Sequence, residues 1–336
     1  MPSMARCQQE SPPLHVVILM PLRDDWASAA ELTRRLDQTI SSYPCTLDVV
    51  FADDGSTQPC IPADFQSAFS AIRSIQRLRL RRNLGHQRAI AIGLAHVERS
   101  LNCDAVLVMD ADGEDTPDGA LQLIRTFLET SKDGCAKAVF AERSRRTETV
   151  LFRLFYKAYK VLHYILTGVR VRVGNFSIIP HSSLSTLVVM PELWNHYAAS
   201  FFRSGLLVRT IPIPRGYRIA GKSKMNFVNL VAHGLSAISV FGDIVGVRLL
   251  IGATAGLLLA GIGIVGIAMI RFLTNRAIPG WATYASGTLI ILMTQFISLV
   301  ITFSFTILSS RSNLGFVPLR DFGFFVADVE SIYCHD

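Results

Sequence analysis

Two long stretches of this chain lack charge. No Asp, Glu, Lys or Arg occurs from Leu249 to Ile270, and none from Trp281 to Ser310. Each stretch exceeds the roughly 20 apolar residues that cross a bilayer as a helix. A buried helical hairpin is the alternative, but runs this long are rarely needed inside a domain of this size. Paired cysteines are missing as well. The six cysteines (7, 45, 60, 103, 135 and 334) never form a C-x-x-C pair. That pattern fits reduced thiols in a cytosolic domain rather than a disulfide framework or a zinc site. The eight histidines show no H-x-x-x-H spacing. No signal peptide is expected, because the first apolar run, Val16–Met20, is too short for an h-region. There is no internal repeat and no low-complexity segment.

What is present divides the chain unevenly. Its 336 residues suffice for one large domain plus an appendage. Half are hydrophobic and the net charge is +7. The spacing predicts two transmembrane helices at about 247–270 and 282–309, joined by the short connection Arg271–Gly280. Arg218, Lys222, Lys224 and Arg248 precede this hairpin, and Arg311 and Arg320 follow it, whereas the connection holds only Arg271 and Arg276. The positive-inside rule then places the large N-terminal domain in the cytoplasm. The remaining divisions expected are a disordered tail over 1–13, the main domain over 14–225, an interfacial helix over 226–245 and a cytoplasmic tail over 311–336.

Before the hairpin, strand-like and helical patterns alternate. Strands are expected at His15–Met20, Leu47–Ala52, Ile75–Leu80, Ala105–Met109 and Ala136–Phe140, with helices around Ser28–Ser41, His86–Arg99 and Pro117–Thr130. This alternation implies βαβ units and a mainly parallel, Rossmann-like α/β sheet. Two of the strands run into acid. Ala105–Met109 is followed by Asp110-Ala-Asp-Gly-Glu-Asp-Thr-Pro117, and Leu47–Ala52 by Asp53-Asp54-Gly55-Ser56. Carboxylates gathered at a strand end suit a hard divalent cation such as Mg²⁺ or Mn²⁺, and open α/β sheets bind ligands outside the carboxyl ends of their strands. Taken alone, the second cluster also reads as a plain turn, and Asn83-Leu84-Gly85-His86 as a helix entry.

Val17–Asp25, Asp53–Ser56, Arg82-Asn-Leu-Gly-His-Gln87 and Asp110-Ala-Asp112 stand in one order. As a set they resemble the motifs of family 2 glycosyltransferases with the GT-A fold. The likeness is greatest to the polyprenyl-phosphate branch, meaning dolichyl-phosphate mannose synthases and bactoprenol glucosyltransferases, and it covers roughly residues 14–245. The resemblance implies that Pro21 and Asp25 border the nucleoside, that Asp53 contacts the base, and that Asp54 and Gly55 shape the turn. Asn83 and Gln87 are implied on the nucleotide-sugar side. Asp110 is implied as the ribose or metal-side carboxylate, Asp112 as the metal ligand with or without Glu114, and Arg143 as an arginine near the phosphates. Asp115 is a candidate base. The family often has Glu in place of Asp25 and Leu-Gln in place of Gly113-Glu114.

The acceptor side is argued from charge. Arg143, Arg145, Arg146, Arg153, Lys157, Lys160, Arg170 and Arg172 lie in one segment with Glu148 as its only acid. On a helical wheel Leu151, Phe155, Ala158, Leu162 and Ile165 share a face opposite Arg153, Lys157 and Lys160. That pattern suggests a membrane-surface helix, with a solvated helix covering the core as the alternative. A second stretch, Asn226–Phe241, aligns Phe227, Leu230, Val231, Leu235, Ile238 and Phe241 and carries no Lys or Arg. Between it and the domain, Arg218, Lys222 and Lys224 are candidates, with Arg145 and Arg146, for an acceptor phosphate; lysines there also suit lipid head groups.

These readings converge on an enzyme: an inverting hexosyltransferase that moves a sugar from a nucleotide donor, UDP-hexose favoured, to polyprenyl phosphate at the cytoplasmic face of a bacterial inner membrane, with Mg²⁺ or Mn²⁺. Where relatives carry a later acidic motif this chain reads Gly174-Asn-Phe-Ser177, which suits an acceptor that needs no base. Two alternatives stay open: another membrane glycosyltransferase, or a non-catalytic module of a lipid-linked sugar pathway. Polysaccharide synthases and lipid-hydroxyl transferases carry Gln-x-x-Arg-Trp, and Trp26, Trp194 and Trp281 follow Asp25, Leu193 and Gly280 instead. No nucleic-acid partner is expected. Gly252-x-x-x-Gly256 leaves a homo-oligomer open, as it does a lipid-facing helix.

Overall fold

The computed structural model describes residues 13–66, 68–131, 137–143, 150–169, 173–220, 227–274, 280–312 and 315–335. The chain divides into two compact units. The first joins Met1–Glu148, Val171–Ser236 and Phe316–Asp336, and the second joins Thr149–Arg170 with Ala237–Gly315.

The first unit is built on strands β1 (Leu14–Leu22), β2 (Cys45–Asp53), β3 (Ile72–Leu80), β4 (Ala105–Val108), β5 (Ala138–Arg143), β6 (Val173–Pro180), β7 (Val208–Ile213) and β8 (Val326–Cys334). They form one sheet in the order β7-β5-β6-β4-β1-β2-β3-β8. Helices α1 (Trp26–Ile40), α2 (His86–Ser100) and α3 (Pro117–Ser131) cover its faces, with the shorter α5 (Leu184–Leu187), α6 (Tyr197–Arg203) and α10 (Pro318–Asp321). Strand β1 shows why the sheet is central. Val16, Ile18 and Met20 enter one core with Trp26, Leu32 and Leu36. Val17 and Leu19 enter the other with Ile90 and Leu94. All five β1 residues are fully buried, each contributing roughly 1.5–3 kcal/mol. The start of α3 is written in Thr116-Pro117, where the Thr116 hydroxyl accepts the Gly119 N–H at 3.1 Å and proline occupies a first-turn position.

β1 pairs in parallel with β2 and β4, β2 with β3, and β5 with β7. The pairings β3–β8, β4–β6 and β5–β6 are antiparallel. The sheet is therefore mixed. Its topological switch point lies between β1 and β4, because the chain builds outward through β2 and β3 before returning to the other side of β1. The expected N-terminal tail lies, apart from Pro13, outside the described residues. The expected C-terminal tail is different: β8 forms the sheet edge against β3, with Arg79 paired to Asp328 and Phe69 packed edge-on against Tyr333 at 5.0 Å.

The second unit contains α4 (Val150–Thr167), α8 (Gly242–Leu273) and α9 (Trp281–Ser312). The helix α7 (Phe227–Ser239) runs from the end of the first unit into the second. Helices α8 and α9 are long and apolar enough to cross a membrane. At 1.5 Å per residue, their 32 residues span about 48 Å. Large side chains stay exposed along them, Leu259 at 69% and Phe305 at 68% among them. Small residues let the two helices approach: an added Cβ at Gly256 would meet Phe296 at 2.5 Å, and one at Gly246 would meet Ile307 at 2.9 Å. Gly252 has nothing within 4 Å, so only the second glycine of the Gly252-x-x-x-Gly256 pair serves this seam. In α4, Leu162 and Ile165 are exposed while His163 and Thr167 are buried. Arg248 of α8 closes the end of α4 by donating to the Ile165 carbonyl at 2.6 Å.

Candidate active site

The loops after β1, β2 and β4 emerge at the carboxyl end of the sheet, on either side of the switch point. The β2 loop and the entry to α2 are mortised together. Asp54 accepts the backbone N–H of Leu84 at 2.6 Å and of Gly85 at 2.9 Å, fixing the chain just ahead of a helix start that has no side-chain cap. Burial pushes the Asp54 carboxyl above its usual range, against the pull of those two bonds. Gly55 sits at φ +68°, and a Cβ there would strike the Asn83 nitrogen at 2.7 Å, so glycine is what allows this approach. Asn83 itself accepts the Gly85 N–H at 3.0 Å and shapes the helix entry.

Asp53 does not face solvent. It is fully buried; Oδ1 accepts the Ser56 N–H at 2.8 Å, and Oδ2 takes Arg77 Nε at 2.9 Å and Nη2 at 2.7 Å. Arg77 in turn lies over the Trp26 ring at 5.2 Å. The residue expected to touch the base thus holds the loop from beneath, because β3 brings an arginine against it. Pro21 is likewise buried within β1. The side chain of Gln87 spans two elements, donating to Asn175 Oδ1 at 3.2 Å and accepting the Tyr197 N–H at 2.7 Å.

The acidic loop is the centre of the site. Asp115, buried, accepts the Asp110 N–H at 2.9 Å and so braces the loop. Asp112 Oδ1 accepts the Glu114 N–H at 2.9 Å. Asp112 Oδ2 faces Arg218 Nη1 at 3.2 Å, and Arg218 Nη2 reaches Asp25 Oδ2 at 3.1 Å. Glu114 is paired with Arg215. Asp110 Oδ1 lies 3.2 Å from His86 Nε2, which is 3.0 Å from Asn175 Nδ2. Burial, then repulsion by Asp110, holds the Asp112 carboxyl above the usual range, with Arg218 and Arg215 opposing. Desolvation works against charge on His86, yet Asp110, with Asp115 and Asp112, holds its pKa above the ordinary histidine value.

The structure therefore brings Asp25, Asp110, Asp112, Glu114, Asp115 and Arg218 into one constellation. It places Arg218 on the acidic side rather than with an acceptor phosphate. The backbone of Arg143 ends β5, and its side chain lies outside the described residues, as do Arg145, Arg146, Lys222 and Lys224 entirely. Three participants were given no role from sequence: His86, which stands inside the Arg82–Gln87 motif, Arg215 and Arg77. A signal existed for two of them. His86 follows a glycine at a helix start, and Arg215 stands three residues before Arg218 in a segment opened by a proline.

The family model for glycosyl transferase family 2 matches residues 18–188, just over half of the 336-residue chain. The chain belongs to glycosyl transferase family 2. Among its relatives are two proteins of Bacillus subtilis (strain 168), both described as uncharacterized glycosyltransferases. YkcC is 22% identical over 274 residues, 79% of this chain and 80% of YkcC. YkoT is 27% identical over 271 residues, 75% of this chain and 74% of YkoT. The undecaprenyl-phosphate 4-deoxy-4-formamido-L-arabinose transferase of Klebsiella pneumoniae (strain 342) is 24% identical over 267 residues, 74% of this chain and 76% of that enzyme. The matched span of this family 2 glycosyltransferase includes the β1, β2 and β4 loops and the start of α2, so the five carboxylates of the constellation lie within it, while Arg215 and Arg218 lie beyond its end.

Proposed function

We propose that this family 2 glycosyltransferase transfers a sugar, with inversion, from a nucleotide donor of the UDP-hexose class to a polyprenyl phosphate. Its sheet-bearing unit is then cytoplasmic, and the membrane is the inner membrane of a bacterium. The observation that carries the reading is the pairing of two features on one chain. Asp25, Asp110 and Asp112 gather at the carboxyl end of the sheet, and two helices have the length and apolarity to cross a bilayer. The Klebsiella relative is an undecaprenyl-phosphate 4-deoxy-4-formamido-L-arabinose transferase, which supports the acceptor class.

A divalent cation fits the donor set in a particular way. Among the described residues no three acids, cysteines or histidines converge as a ready cage. Magnesium at phosphate sites commonly takes only one or two carboxylates and completes its shell with phosphate oxygens and water. Asp112 and Asp110 supply that number, and their mutual repulsion is what a positive charge relieves. When bound there, the ion supplies Lewis-acid neutralisation of the pyrophosphate as the glycosidic bond breaks.

The protein's residues do the rest. Asp54 and Gly55 fix the wall of the nucleoside site against α2, and Asp53 holds that wall through Arg77. The acceptor's phosphate oxygen forms the new bond to the anomeric carbon, and the nucleoside diphosphate leaves with the electrons of the old one. A phosphate monoester is largely dianionic at neutral pH, its second pKa being about 6, so no base is required. Asn175, in contact with His86 and Gln87, is suited to orientation and not to proton removal. The test is release of nucleoside diphosphate by the purified full chain against a panel of nucleotide sugars. Release should require both polyprenyl phosphate and a divalent cation. Release unchanged by omitting the lipid phosphate would contradict the reading.

A further inference from the structure

After β7 the chain returns across the acidic loop as the segment Pro214–Ala220. Backbone bonds fasten it at two points: Gly216 N donates to the Glu114 carbonyl at 2.8 Å, and Ile219 N to the Asp112 carbonyl at 2.9 Å. The fit is close on both sides. Gly113 has φ +88°, and a Cβ there would meet Ile219 Cγ1 at 2.5 Å; a Cβ at Gly216 would meet Thr116 Cγ2 at 2.6 Å and the Gly113 carbonyl oxygen at 2.8 Å. Two arginines of the segment sit on carboxylates of the acidic loop, one of them Asp112, the proposed cation ligand. Arg215 pairs with Glu114. Arg218 bridges Asp112 and Asp25 at 3.2 and 3.1 Å, while its Nε donates to the Ala220 carbonyl at 3.2 Å.

The contact between Arg218 and Asp112 is sheltered. The side chains of Arg218 and Asp112 are 18% and 15% exposed, so solvent screens them less than a surface pair. A guanidinium and a divalent cation cannot share one carboxylate oxygen without strong mutual repulsion at this range. The planar guanidinium does have another good partner, since it binds phosphate oxygens as readily as a carboxylate.

We propose that Arg215–Ala220 is a built-in counter-ion latch. Without nucleotide, Arg218 and Arg215 neutralise Asp112 and Glu114 and keep a divalent cation out. The donor's pyrophosphate draws Arg218 away, and the cation then gains Asp112. Metal and nucleotide therefore bind synergistically, and by linkage each raises the other's affinity by the same factor. The latch rests on the nucleotide-sugar reading above, because a diphosphate is what releases it.

The experiment is Mn²⁺ binding to the full chain in detergent, followed by the electron paramagnetic resonance of free Mn²⁺, with and without UDP or GDP. The wild type should bind Mn²⁺ at least about 10-fold more tightly when nucleoside diphosphate is present, a factor worth about 1.4 kcal/mol. Arg218→Gln should bind Mn²⁺ more tightly than the wild type without nucleotide, and the nucleotide's enhancement should shrink. Arg218→Lys should fall between, and Arg215→Gln should shift affinity in the same direction, with melting curves showing that each variant is folded. If Arg218→Gln and Arg215→Gln both bind Mn²⁺ no more tightly than the wild type without nucleotide, the latch is wrong while the donor reading stands. If the wild type binds neither Mn²⁺ nor nucleoside diphosphate, both fall together.

Discussion

Asp112 carries opposite obligations in catalysis and in folding. Burial and the neighbouring charge of Asp110 make its ionised form costly to the native state, yet the proposed chemistry needs that charge. Asp112→Asn should therefore reduce transfer by at least about 100-fold, the scale on which removing a preorganised charge partner acts. Its melting temperature should be no lower than that of the wild type, which calorimetry checks. Asp48 behaves in the reverse way. Desolvation opposes its charge, but His15 at 2.7 Å and Ser74 at 2.8 Å hold its carboxyl below the usual range. A depressed folded pKa adds stability above the unfolded value of about 3.9, and this is lost as pH falls through the native pKa. Asp48→Asn should thus melt lower than the wild type at pH 7, and the gap should close on acidification through that range. Arg77→Leu should cost about 3–5 kcal/mol in chemical unfolding, since it leaves the buried Asp53 charge without its partner. At this scale the acidic motif was legible because its residues are neighbours in sequence. Arg77 was not, because its meeting with Asp53 depends on strand register. Arg218 was legible as a charged candidate, but its place beside Asp112 and Asp25 was not, because that depends on how the segment after β7 folds back over the acidic loop.

Elements were legible where the pattern is local. β1, β2, β4 and the three large helices of the first unit follow their apolar periodicity closely, with ends differing by a few residues. β8 was not, because Val326–Cys334 is mostly exposed on an edge and its partner β3 lies some 250 residues earlier. β6 and β7 were missed for a related reason. Neither lies in a βαβ repeat: β6 runs antiparallel to both neighbours, and β7 pairs, among the described residues, with β5 alone. Two predictions belong here. Tyr333→Ala removes the edge-on contact with Phe69 and should lower stability by about 1–3 kcal/mol in urea unfolding, so β8 behaves as part of the sheet and not as a tail. In the hairpin, Gly256→Val drives a side chain against Phe296, whereas Gly252→Val meets open space. The first should lower the melting temperature in detergent by several degrees, and the second should leave it nearly unchanged.

At the scale of the whole molecule, two kinds of surface share one chain. One unit gathers carboxylates and arginines at the end of a mixed sheet. The other exposes apolar side chains along helices longer than a hydrocarbon core is thick. This division was legible from the uncharged runs and the strand–helix alternation. The grouping of α4 with the hairpin was not, because it depends on contacts such as Arg248 with the Ile165 carbonyl. A soluble donor and a lipid acceptor that bears its own nucleophilic phosphate would account for both surfaces. The decisive measurement is the structure of the lipid product after turnover with polyprenyl phosphate, a nucleotide sugar and Mg²⁺ or Mn²⁺, read by mass spectrometry and by NMR of the anomeric centre. The predicted product carries a single sugar on the lipid phosphate, inverted at the anomeric carbon, and is absent when the metal is chelated. A polymer, an equal yield on the free polyprenol, or full turnover in chelator would contradict it.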